Sequence, residues 1–302
     1  MRLLPTVFAA LLAAASAHAA EPTGTLKKIA DTNRIVLGVR DASPPFSYLD
    51  GTQKVVGFAV DICRVIADAV KRELNKPGLE VAMEFVNSSS RIPLMTNNTI
   101  DLECGTTTNN AERQKQVAFA NTHFLTATRY VTRKDAGVKR LEDLRGKAVA
   151  SVAGSTNILM LIKANTERKL DMTVLAAKDV VEGFLLVETG RAAAFVMDDV
   201  QLAVLVAQSK DPAAYTISTE TLSNPEPYGI MLRRNDPAFK ALVERTTADL
   251  YRSPEIMTLY DRWFLKPVPP RGLNYNVPLS PDLRWAYANP TDSPDPAVYA
   301  GH

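Results

Sequence analysis

Short apolar runs alternate with amphipathic helical patterns along this chain, and the alternation starts twice. Such alternation constrains the fold strongly, because each strand-then-helix unit must bury one face of the helix on a largely parallel sheet. In the first series Arg34-Ile35-Val36-Leu37-Gly38-Val39 reads as a buried strand. Residues 44–48 are extended or turning, Asp50-Gly51 is a turn, and a helix over about 57–75 stripes Phe58, Ile62, Val65, Ile66 and Ala69. A second strand over 81–86 leads to Ser88-Ser89-Ser90-Arg91 and a helix with Pro93 in its first turn. After Phe119 the pattern restarts. Residues 148–152 form a strand, Gly154-Ser155-Thr156 opens a helix through Ile162, and Asp179 caps another that ends at Gly190. A strand over 192–197 then delivers Asp198 and Asp199. The expected class is α/β with two lobes, each a mainly parallel sheet flanked by helices. Residues 228–232 form a strand returning to the first lobe, with helices over 236–251 and 254–264 packed on it.

The ends differ from the middle. Met1 and Arg2 precede an almost wholly apolar run over 3–15 and the small–x–small pattern Ala17-His18-Ala19, the marks of an export signal cleaved after Ala19. That run is too short to span about 30 Å of hydrocarbon. The expected divisions are therefore 1–19 signal peptide, 20–125 first lobe, 126–220 second lobe, 221–266 first lobe again, and 267–302 a tail. Prolines crowd the tail, so an extended surface wrap fraying toward His302 is expected.

Composition removes several function classes. Taking 19 from 302 residues leaves 283, enough for two domains, and removing Arg2 leaves 34 basic against 33 acidic side chains. So even a balance gives no reason to expect nucleic acid or an anionic membrane as partner. The chain has three histidines, one in the signal and one terminal, which supplies a His-based metal site or a Ser-His-Asp triad poorly. No cofactor is called for. Cys63 and Cys104 could pair in an oxidising compartment, but one falls in a helix and the other in a strand, so two buried free thiols are at least as good a reading.

The chemistry concentrates where strands end and helices begin, which is where ligands sit in open α/β sheets. The stretch 101–119, DLECGTTTNNAERQKQVAF, puts three threonines and a helix start beside Arg113, a receptor for a carboxylate. Arg40, the cluster from Ser88 to Arg91, Ser155-Thr156 and Asp198 occupy equivalent places. Each alone has a plainer reading, as a surface cation, a helix cap or a loop acid. Together they alternate anion receptors with one anion, which is what an amino acid requires: donors for its carboxylate and an acid for its ammonium. Arg113, with Thr106 and Thr108, would meet the α-carboxylate. Arg40 and Arg91 are then surplus, and two extra buried cations favour a ligand whose side chain is itself acidic.

At these residues the chain resembles the periplasmic amino-acid-binding proteins of ABC importers, solute-binding family 3, and within them the glutamate/aspartate binders. Gly57-Phe58-Ala59-Val60-Asp61-Ile62 is similar to the family signature, with Ala59 where an acid is usual. Further similarity lies in Pro45-Phe46-Ser47-Tyr48, Ser90-Arg91-Ile92-Pro93-Leu94, the run from Glu103 to Asn110, Glu112-Arg113-Gln114-Lys115, Met197-Asp198-Asp199 and Asp261-Arg262-Trp263-Phe264. The resemblance implies the two-lobe periplasmic-binding-protein fold of type II, joined by two crossing strands and closing like a hinge. It implies that Arg113, Thr106, Thr108 and Thr156 hold the α-carboxylate, Asp198 the ammonium, and Arg40, Ser88 and Arg91 the side-chain carboxylate. Acidic-amino-acid binders of this kind carry a histidine after the Lys-Asp pair. Here Lys178-Asp179 is followed by Val180, which leaves glutamine, asparagine or another dicarboxylate as competing ligands.

The expected function is a periplasmic receptor that captures L-glutamate or L-aspartate and delivers it to the membrane permease of an ABC importer. One ligand between two lobes needs no second chain, so a monomer is expected. Two other classes remain open at this point: a dehydratase-type enzyme on the same scaffold, with Glu103 or His123 as its acid or base, and a sensor that hands a ligand signal to a membrane receptor. No paired carboxylates and no nucleophile–base spacing favour the enzyme, and no catalytic or metal-binding residue is assigned.

Overall fold

The computed structural model describes residues 21–302, so the expected signal segment and its cleavage point lie outside the described residues. Among the described residues, thirteen strands form three sheets. The first lobe is built on β1 (Arg34–Val39), β5 (Glu80–Phe85), β6 (Leu102–Glu103), β7 (Val117–Thr126) and β13 (Glu226–Arg233), in the order β5-β1-β6-β13-β7. The second uses β8 (Thr128–Arg133), β9 (Ala148–Val152), β10 (Thr173–Ala177), β11 (Ala194–Asp198) and β12 (Tyr215–Ile217), in the order β10-β9-β11-β8-β12. The short strands β2 (Ala42–Ser43), β3 (Ser47–Leu49) and β4 (Val55–Val56) make a small antiparallel sheet.

Each large sheet is parallel except for one strand. β13 runs against β6 and β7, and β8 runs against β11 and β12, so four of five strands in each sheet share a direction. The chain crosses between lobes twice. β7 passes into β8 through Ala127 alone, and β12 returns to β13 through residues 218–225.

The helices form where the apolar stripe falls. Helix Phe58–Glu73 buries Phe58, Ile62, Cys63, Ile66 and Val70 against the first sheet. Cys63 there forms a disulfide with Cys104, which follows β6, so the helix is bonded to the sheet it covers. That settles the open reading of two free thiols in favour of a bond. In the second lobe the Ser155 and Asp179 side chains accept from the Ile158 and Glu182 N–H groups, capping helices Thr156–Glu167 and Val180–Glu188. The first of these runs five residues beyond the expected end at Ile162.

The expectation for the tail is corrected. Residues 267–302 are not a merely extended, fraying wrap. Ser280 caps helix Pro281–Ala288, which buries Leu283, Ala286 and Tyr287 in the first-lobe core, and Tyr299 is buried beyond it. The tail also satisfies polar groups of β7: the Tyr287 hydroxyl donates to the His123 carbonyl at 3.0 Å, and Tyr299 pairs with the Thr122 hydroxyl at 2.8 Å. At the end of the chain His302 stacks on Trp285 with ring centroids 4.0 Å apart. Among the described residues no helix is long and apolar enough to cross a membrane.

The disulfide closes a loop of 41 residues. By the chain-entropy relation, its removal is expected to cost about 4 kcal/mol. Denaturant titration of the protein with Cys63→Ser and Cys104→Ser should therefore show a lower midpoint than the oxidised parent. Equal midpoints would mean that the bond does not constrain the chain.

Candidate functional site

Strand ends and helix starts of both lobes meet on one cleft between them. β1 delivers Arg40, whose N–H donates to Ser47 Oγ at 2.8 Å and whose Nη2 reaches Ser88 Oγ at 3.5 Å. Arg91 opens helix Arg91–Thr96 and turns inward, Nη1 donating to Thr107 Oγ1 at 2.6 Å. Thr107 in turn donates to Glu103 at the end of β6, so this acid answers Arg91 through a hydroxyl. Asn110 caps the short helix Ala111–Gln114 by accepting from the Arg113 N–H, and Arg113 Nη1 donates to the Thr108 carbonyl at 2.8 Å.

The second lobe supplies Thr156 and Asn157 from the helix that follows β9, and Asp198 from the end of β11. Asn157 Nδ2 donates to Asp198 Oδ1 at 2.8 Å and to Thr128 Oγ1 at 2.9 Å, and Thr128 donates to Glu226 at 2.8 Å. The Tyr228 hydroxyl on β13 donates to Asp198 Oδ2 across the cleft. The lobes meet again where Thr108 and Thr156 hydroxyls lie 3.4 Å apart and where Arg113 Nη2 reaches the Gly154 carbonyl at 3.4 Å. Gly154 has φ +75°, and a Cβ there would stand 2.7 Å from Ser89 Oγ, so the close approach of the two lobes requires glycine.

Seven of the eight expected residues line one enclosed cavity: Arg40, Ser88, Arg91, Thr106 and Thr108 from the first lobe, Thr156 and Asp198 from the second. The eighth, Arg113, is buried beside it with its guanidinium turned to the Thr108 and Gly154 carbonyls. The free space between the side chains is about 10 Å³, room for about one water molecule. Admitting an amino acid therefore requires the lobes to part or the arginines to swing.

Electrostatics set the character of the cleft. Burial lowers the pKa of all three arginines, and the neighbouring Arg91 adds to this, leaving Arg40 at about 10 and Arg113 at about 9. Burial, and then the nearby Glu226, push Asp198 up to about 7; burial also raises Glu226. Three guanidiniums thus face Glu103 and a pair of carboxyls that resist full ionisation together.

Glu226, Tyr228, Asn157, Thr107 and Gln201 are site residues that the sequence reading did not single out. The signal for two of them was an acid and a tyrosine two apart on the returning strand, hence on one face. Neither acid–base candidate for an enzyme lines the cavity. Glu103 is held by Thr107, and His123 is wholly buried among Phe46, Phe58 and Tyr228, its pKa lowered to about 3 by burial. The described residues hold no group of three or more His, Cys, Asp or Glu that could bind a metal.

The family model for bacterial extracellular solute-binding proteins, family 3, matches residues 35–266. The L-glutamate/L-aspartate-binding protein of Pseudomonas aeruginosa is 46% identical over 292 residues, 96% of both chains. The glutamate/aspartate import solute-binding protein of Salmonella typhimurium is 45% identical over 93% of this chain and 94% of its own. Among solved structures, an arginine-binding protein of T. maritima superposes with a TM-score of 0.71 at 28% identity, over 80% of this chain and 99% of its own. A cleft between two α/β lobes, lined by buried arginines and one ionisable acid, is thus matched by sequence along nearly its whole length, and the chain belongs to family 3 of the bacterial extracellular solute-binding proteins.

Proposed function

We propose that this chain is a periplasmic receptor for an acidic amino acid, L-glutamate or L-aspartate, and that it passes the ligand to the permease of an ABC importer. The observation that carries the reading is the charge of the closed cleft. Three buried guanidiniums stand against Glu103 and a carboxyl pair, Asp198 and Glu226, whose ionisation burial opposes. A ligand with two carboxylates and one ammonium supplies the missing negative charge and one cation for Asp198. The Pseudomonas and Salmonella relatives are named for glutamate and aspartate, which supports the same ligand class here.

In this reading Arg113, Thr106, Thr108 and Thr156 hold the α-carboxylate, Asp198 the ammonium, and Arg40, Ser88 and Arg91 the distal carboxylate. The relatives are named as binding and import proteins, and no catalytic step is assigned. The chain is exported on a signal peptide cleaved after Ala19, divides into lobes near 126 and 220, and acts as a monomer. Because the ligand touches both lobes, binding shifts the population toward the closed form, which is the shape a permease can recognise.

Calorimetric titration of ligand-stripped protein with L-glutamate should show one-to-one binding, weakened roughly tenfold or more by Arg113→Lys, since an ammonium cannot reproduce the planar fork. Heat from neither L-glutamate nor L-aspartate would overturn the reading.

The Asp198 shift supplies a second test. Between about pH 4 and about pH 7 the unliganded fold holds a proton on Asp198 that the unfolded chain has lost. The stability this contributes is full below the ordinary carboxylate range and is lost as pH rises through about 7. The ligand's ammonium favours the ionised form, so binding releases that proton. L-glutamate affinity should rise about tenfold from about pH 6 to about pH 8. An affinity that is flat over that interval would remove Asp198 as the ammonium's partner.

A further inference from the structure

Gln201 lies three residues into the helix Asp199–Gln208 that Asp198 begins. A glutamine at that place ordinarily bonds back to the N–H of the cap residue. Here it does not. Neither its Nε2 nor its Oε1 has a partner, although the residue is only 1% exposed. Buried carboxamides are rarely left so, and the side chain lines the same cavity as Arg40, Arg91 and Val180.

Besides Gln201, the cavity-lining side chains with a buried polar atom lacking a partner are Arg40 and Arg91, each at Nε. Asp198 is held by Asn157 and Tyr228, while Thr108, Thr156 and Arg113 form a second group across the lobe boundary. Gln201 belongs to neither group, and Val180 beside the same cavity offers no polar atom. The position left for a free donor is the distal end of the ligand, where Arg40 and Arg91 also stand.

We propose that Gln201 contacts the ligand, its Nε2–H donating to the distal carboxylate, and so helps decide which side chain the site accepts. A carboxamide keeps this donor at every pH, and its Oε1 could equally accept from a ligand amide, whereas the arginines reward only negative charge. The proposal deepens the receptor reading and rests on it.

The test compares the parent with Gln201→Met, similar in volume and without a donor, by titration with L-glutamate and by competition with L-norvaline, which has no distal polar group. We expect L-glutamate affinity to fall about tenfold to a hundredfold. L-norvaline affinity should stay within about twofold, and the melting temperature of the unliganded protein should not fall, because an unpaired buried amide has been removed. Gln201→Asn, which keeps the amide but shortens its reach, should show the same selective loss and serves if the methionine variant does not fold. Unchanged L-glutamate affinity in the variants would overturn the proposal, as would equal losses for both ligands, which would place Gln201 at the shared amino-acid end. If the parent itself binds neither L-glutamate nor L-aspartate, the receptor reading fails and takes this one with it. Parental binding with indifferent variants removes only Gln201.

Discussion

Like-charge repulsion among Arg40, Arg91 and Arg113 is the constraint on which the rest of this structure depends. Three guanidiniums are buried within one another's influence, which a fold sustains only where counter-charge and hydrogen bonds are arranged around them. Arg91 is answered by Glu103 through Thr107, and Arg113 by two carbonyls and the field of Glu226. Arg40 reaches only Ser88, at 3.5 Å, and its Nε has no partner. Arg40 thus has no bonded acid among the described residues, and the distal carboxylate of an acidic amino acid supplies one, while the ligand's ammonium takes the place of the proton on Asp198. The ligand class follows from that unpaired guanidinium.

The fold places these charges by topology. Each lobe turns its strand ends toward the other, and the two crossings between β7 and β8 and between β12 and β13 run beside the cleft. Glu226 and Tyr228, on the returning strand, consequently bond to second-lobe groups although Tyr228 pairs within the first-lobe sheet. The same strands separate the lobes and carry part of the site, so motion about the hinge and ligand contact are mechanically linked. The tail fixes the other side of β7: Lys240 pairs with Asp292, and Asn109 beside the cleft donates to the Asp292 carbonyl. The C-terminal segment thus steadies the loop that holds Thr106 and Thr108.

Much of the fold was legible because the apolar pattern and the caps agreed. β1 and β9 fall on the expected residues, and Asp179 and Gly190 bound their helix as the capping chemistry demands. β7 was not legible as a strand, since Asn121, Thr122 and His123 interrupt its apolar run. These residues are buried on partners remote in sequence: Asn121 donates to the Glu244 carbonyl and to Thr247, and Thr122 pairs with Tyr299. The tail helix was hidden by its prolines, although Ser280-Pro281 is a sound helix start and Leu283, Ala286 and Tyr287 share a face. The residues expected at the site came together because each lies at a strand end, at a helix start or in the loop that joins the two. Glu226 and Tyr228 escaped notice because they act from within a strand, where sequence alone reads core.

The central claim is that the unliganded cleft holds a guanidinium, Arg40, to which no acid among the described residues is bonded. The most direct test is the ratio of dissociation constants for L-glutamate and L-glutamine, which are nearly identical in shape and differ by one charge, on the stripped protein near neutral pH. The account predicts that L-glutamate binds at least about tenfold more tightly, since a carboxylate on a buried guanidinium outweighs a neutral amide. L-glutamine binding as tightly or more tightly would contradict it.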